Sequence, residues 1–139
     1  MGNIAGKPVV IEPPEPGMGA TPARVINTAA LTAVVVKASP ATLCSVSMTQ
    51  TSTGLRVARF YDSATAVAAG QSSPAPVLTI GCPGAGAGGA NGGGAIQVPL
   101  PPSGAQFLNG IALTITGGIA DADATPTTPG DTVVSLTLR

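Results

Sequence analysis

Apolar and polar residues alternate with a period of two along most of this chain, in short runs separated by Gly, Pro and Ser. The run Val34 to Asp62, VVVKASPATLCSVSMTQTSTGLRVARFYD, is the densest of them in β-branched residues. Val34 to Lys37 reads as a short apolar strand, broken by Ser39-Pro40-Ala41. From Leu43 to Met48 the strand resumes, with Cys44, Val46 and Met48 on one face and Ser45, Ser47 and Thr49 on the other. That is the pattern of a strand with one buried and one wet face. Thr51-Ser52-Thr53-Gly54 supplies turn chemistry, and on the return Leu55, Val57, Arg59 and Tyr61 alternate with Arg56, Ala58, Phe60 and Asp62. The spacing predicts an antiparallel hairpin carrying Phe60 and Tyr61 into or beside the core.

The same pattern recurs on both sides. Arg24 to Ile26 reads as a first strand, Asn27-Thr28 as a turn, and Leu31 to Lys37 as the strand that opens the central run. Ser63 to Pro76 is an Ala- and Ser-rich loop with room for one helical turn over Ala64 to Ala69. Val77 to Ile80 is a further strand. Ile96, Val98 and Leu100 alternate beside Pro99, Pro101 and Pro102, which confine them to a sheet edge or its end. Asn109-Gly110 between apolar residues signals a tight turn, after which Ile111, Leu113 and Ile115 oppose Ala112, Thr114 and Thr116. A polar loop, Ala120 to Gly130, leads to a last strand with Val134, Leu136 and Leu138 on one face. Seven to nine short strands and no convincing helix predict an all-β fold, an antiparallel β-sandwich or jelly-roll.

Two segments stand outside this pattern. Residues 1–24 carry Pro8, Pro13, Pro14, Pro16 and Pro22 among several glycines, which prevents helix and predicts an extended arm, held by a neighbouring subunit or packed along its own sheet. Residues 84–94, GAGAGGANGGG, are of low complexity and read as a flexible or surface-fitted loop. The expected organisation is an N-terminal arm over 1–24 and one sandwich domain over 25–139. At 139 residues the chain is long enough for a single core.

Composition narrows the chemistry. Six basic and six acidic residues give zero formal net charge, and His and Trp are absent. Nucleic-acid binding needs clustered cations, which two Lys and four scattered Arg do not provide. No apolar run approaches the roughly 18 residues of a membrane span. The N-terminus lacks the apolar segment of a secretory signal, and Gly6 stands where a myristoylation pattern needs Ser or Thr, so an unlipidated product of the cytoplasm is expected. Without His, and without a G-x-S-x-G pattern, no residue is nominated as catalytic. Gly84, Gly86 and Gly89 form G-x-G-x-x-G after a strand, but more Gly follows where a helix is needed and no acid lies about 20 residues on, so no cofactor site is assigned. Asp121 and Asp123 lack the Gly and distal Glu of an EF-hand, and no metal site is assigned. Cys44 and Cys82 are expected as two buried free thiols, with a single late disulfide as the alternative.

The order of elements resembles a known family. VVVKASPATLCSVSM, then RFYDSATA, then QFLNGIALTITGG and a terminal strand are similar to the small β-sandwich structural proteins of tailed bacteriophages, with Tyr61-Asp62 and Asn109-Gly110 as anchors. Ala41 where Gly is expected, Cys44 where His is commoner, and the Gly insert at 84–94 depart from that pattern. The resemblance implies a non-enzymatic virion protein, made in the host bacterial cytoplasm, that binds the major capsid protein or other virion subunits as a head decoration or cement subunit. It also implies a homo-oligomer, with neither nucleic acid nor membrane as partner. A tail, neck or baseplate protein is the alternative. A carbohydrate-binding fibre module is a further one, weakened by the lack of an aromatic stacking platform.

Overall fold

Nine strands, distributed between two antiparallel sheets, account for the regular structure in a computed structural model that describes residues 19–84 and 94–139. They are β1 (Thr21–Ile26), β2 (Thr32–Lys37), β3 (Ala41–Gln50), β4 (Arg56–Asp62), β5 (Leu78–Cys82), β6 (Ala95–Val98), β7 (Ala105–Phe107), β8 (Ile111–Thr116) and β9 (Thr132–Leu138). One sheet has the order β1-β9-β3-β6, with β7 also paired to β3, and the other β2-β8-β4-β5. The pairs are nested: β4 with β5 innermost, then β3 with β6, β2 with β8, and β1 with β9. A long ribbon wound in this way gives two Greek keys, so the sandwich is a jelly-roll. No helix occurs among the described residues, and Ala64 to Ala69 lies within a loop.

The nesting corrects the hairpin expected between Leu43 and Asp62. Strands β3 and β4 belong to different sheets and do not pair. The link between them crosses the sandwich, a gap of about 10 Å between sheets. Gln50 braces the crossing, its Nε2 donating to the carbonyls of Gly54 (2.9 Å) and Cys82 (2.7 Å). Turn residues announced a reversal of direction but not which sheet would receive it.

Inside β3 the face assignment also shifts. Pairing with β9 slips between Leu43 and Ser45, a β-bulge in which two residues oppose one on the partner strand. The extra residue puts Leu43, Val46 and Met48 into the core and leaves Cys44 only partly buried. Alternation had placed Cys44 inside; the bulge resets it by one residue.

The core lies between the sheets. Leu43, Val46, Met48, Val134 and Leu136 meet Phe60, Ile80, Ile111, Leu113 and Ile115, all nearly inaccessible. Each such side chain contributes about 1.5–3 kcal/mol on burial. The final strand is as expected, with Val134, Leu136 and Leu138 inward. The first strand begins at Thr21, because Thr21 to Ile26 pair in unbroken register with Leu138 to Val133. Thr21 to Arg24 therefore belong to the sandwich and not to a separate arm. Residues 1–18, which hold most of the expected arm, and 85–93, most of the Gly-rich stretch, lie outside the described residues.

Candidate functional site

The two sheets present very different outer faces. On the β2-β8-β4-β5 sheet the central strands are buried on both sides: β4 from Arg56 to Tyr61 and all of β8. Its outward side chains include Val57, Arg59, Tyr61, Ala112, Thr114 and Thr116, and loops close over them. Val67, from the loop after β4, packs on Tyr61 and Ala112. The loop after β8 is clamped by Arg59, whose guanidinium donates to Thr116 Oγ1 and to the carbonyls of Gly118 and Ala120. The Arg59 cation, 1 % exposed, is thus hydrogen-bonded by neutral oxygens, lies near enough to the Asp123 carboxylate for their charges to attract, and is tied to a loop.

The outer face of the β1-β9-β3 sheet is open among the described residues. Its rows read Pro22-Thr137-Ser45 and Arg24-Ser135-Ser47 across the strands. No described loop covers them, and Ser135 and Arg24 are exposed. Short hydroxyl side chains leave a shallow trough of about 390 Å³ lined by Pro22, Arg24, Ser45, Ser47, Ser135 and Thr137. Ser45 and Thr137 share a hydrogen bond of 2.7 Å along its floor. A second hollow of about 290 Å³ lies at the end of the same sheet, between Pro40, Thr42, Gln106, Leu108 and Arg139.

The ends of the sandwich also differ. At one end Thr21 pairs with Leu138, and Arg139 exchanges backbone hydrogen bonds with Thr42. Leu108 projects there, 71 % exposed. At the other end Gln50 N donates to Gly94 O (2.9 Å), fixing one limit of the Gly-rich stretch. A Cβ on Gly94 would overlap the Pro83 carbonyl, and one on Gly84 the Thr53 carbonyl, so both limits need glycine. The six steps from Thr132 to Leu138 separate these ends by roughly 20 Å. The attachment points of the two segments singled out by sequence therefore lie at opposite ends.

A buried polar cluster locks the Gly94 end. Arg56 Nε and Nη2 donate to Asp131 Oδ2 at 2.9 and 2.6 Å, joining the two sheets. Asn27 Nδ2 donates to Asp131 Oδ1 and Thr127 Oγ1, both at 2.9 Å, while Asn27 Oδ1 accepts from Thr132 N. Burial pushes the Asp131 carboxyl up, but hydrogen bonds from Arg56, Thr132 and Asn27 outweigh it and hold the group below the ordinary 3.8. Every strong donor and acceptor here is turned inward, as structural groups are.

The remaining residues singled out from sequence are dispersed. Cys44 and Cys82 are free thiols on different sheets. Asp123 is occupied by its own loop, accepting from Thr125 N (3.0 Å) and Thr125 Oγ1 (2.7 Å), while Asp121 is exposed beside it. No cluster of three or more metal-capable side chains occurs among the described residues. Gly84 stands at the exit of β5, with Gly86 and Gly89 outside the described residues. Tyr61-Asp62 and Asn109-Gly110 do come together: Asp62 Oδ1 accepts from Asn109 N at 2.7 Å, and Gly110 packs against the Lys37 and Ser63 carbonyls. The Asn109 amide is the first cause of a lowered Asp62 pKa. Both motifs therefore serve one corner of the scaffold. Comparison with family models, with curated proteins and with solved structures returns no match.

The open face escaped the sequence reading. Its signal was present in the polar positions Ser45, Ser47, Ser135 and Thr137, but these stand some 90 residues apart in the chain (Ser45 and Thr137 are separated by 92) and became neighbours only through β3–β9 pairing.

Proposed function

We propose that this chain is a non-enzymatic structural subunit of a tailed-bacteriophage virion, a head decoration or cement protein bound to the major capsid protein lattice. The observation that carries the reading is the inequality of the two outer faces. One is closed by loops that Arg59 and Val67 pin down, and the other, among the described residues, carries a shallow trough lined largely by small hydroxyls. A subunit that assembles on a repetitive surface uses such a face to take up its neighbours, and symmetric repetition turns a weak single contact with the lattice into durable attachment. The order of the strand and turn motifs supports the same family, and a jelly-roll is an architecture used by viral capsid proteins, although fold alone does not decide function. The residues before β1 supply a second contact by crossing to a neighbouring subunit.

The test is adsorption to particles that lack the protein. Full-length chain should bind with regular occupancy, and a chain starting at Gly19 should fold but bind less. Equal occupancy of the two would remove the arm from the mechanism. Absence of any binding to heads, with labelling of tails or necks in intact virions, would replace the decoration reading with a tail or neck subunit.

A further inference from the structure

We infer that the open face of the β1-β9-β3 sheet is the seat for the segment Glu12-Pro13-Pro14-Glu15-Pro16 of a second copy of this chain. The inference rests on the reading of the chain as an assembling subunit and names the subunit-to-subunit contact.

Charge is the first argument. The face carries two exposed guanidiniums, Arg24 and Arg139, and no acidic side chain among its described residues. The described acids are placed elsewhere. Asp62 is bound to Asn109, Asp131 is buried with Arg56, and Asp121 and Asp123 sit in the loop after β8. The only glutamates in the chain are Glu12 and Glu15, close enough together to meet two cations on one face.

Hydrogen-bonding character is the second. Pro13, Pro14 and Pro16 have no backbone N–H, so this stretch offers almost only carbonyl acceptors. The trough is lined by hydroxyls, which can donate: Ser45, Ser47, Ser135 and Thr137. Such short side chains also leave room for proline rings to lie flat. A proline-rich backbone is already extended when free, so little conformational entropy is lost on docking.

Direction is the third. The chain enters β1 at Thr21, at the Leu138 end, and straight continuation backwards from Thr21 leads off the end of its own sheet. Docking on its own face would require a full reversal within Gly17 to Ala20. Continuation delivers the segment to a neighbour, and the contact is head to tail, a geometry that builds rings or larger arrays.

The test is sedimentation velocity of the full-length protein over a range of concentrations at low and high salt. Wild type should self-associate, and less so as salt screens the exposed pairs. The double variants R24E/R139E and E12K/E15K should each associate roughly tenfold more weakly or worse. An equimolar mixture of the two should recover association, because reversed charges face each other between copies. Circular dichroism melting of each variant checks folding, which surface substitutions leave intact.

A wild type that stays monomeric throughout would overturn the inference, as would folded variants that associate undiminished or a mixture that recovers nothing. A monomer destabilised by either reversal, and restored when all four changes are combined, would put the segment on its own sheet and overturn the second-copy assignment. Particle adsorption is read separately. Monomers that still adsorb to capsids would sink this contact and leave the decoration reading standing. Association in solution without adsorption would do the reverse.

Discussion

Asp131 is the residue on which the Gly94 end of the sandwich depends. Its carboxylate is 8 % exposed and holds Arg56, Asn27 and Thr132 together across both sheets. Its pKa in the folded protein lies below the ordinary value, so its contribution is fully present above about pH 4 and is lost as pH falls through the lowered pKa. Equilibrium unfolding followed by circular dichroism should show stability dropping below pH 4, and D131N should flatten that drop while lowering stability at pH 7. Arg56→Ala, which strands the buried carboxylate, should cost about 3 kcal/mol in denaturant unfolding. Sequence placed Arg56 on a strand and Asp131 at the start of another. With the two 75 positions apart in the chain, nothing local marked them as partners.

At the scale of elements, β3 shows how one inserted residue redirects a face. Leu43→Ala should cost about 3 kcal/mol, the range for deleting a buried leucine, whereas Cys44→Ser should change stability by less than about 0.5 kcal/mol. Denaturant melts of the two variants check this order, which is the reverse of what plain alternation predicts. The thiols should separate in the same way. Cys82 is buried, and burial pushes its thiol up, so a native-state thiol reagent should label Cys44 and leave Cys82 protected until unfolding. The alternation of β8 and β9 was legible because neither strand is bulged against the core. The β3–β4 connection was not, since a Ser/Thr/Gly turn suits a hairpin and a crossing between sheets equally.

For the whole molecule, the boundary at Thr21 sets a sharp prediction. A chain beginning at Gly19 should melt within a few degrees of the full-length protein. One beginning at Val25 loses Thr21 to Arg24, four of the six residues of β1, and should melt markedly lower and expose the β9 edge to aggregation. Differential scanning calorimetry with light scattering separates the two. By itself the sequence determined most of the strands, the core side of β8 and β9, the edge position of β6 and the all-β class, because each follows from period-two alternation and from where Gly and Pro interrupt it. Only the tertiary structure decided which strands share a sheet and which polar face stays open. Arg59, Thr114 and Thr116 alternate along their strands just as Ser45, Ser47 and Ser135 do, yet loops bury the first set, whereas among the described residues Ser45 and Ser47 stay half-buried and Ser135 exposed. Alternation encodes that a strand has two unlike sides; what lies against each side is fixed by pairing and loop packing between residues far apart in the chain.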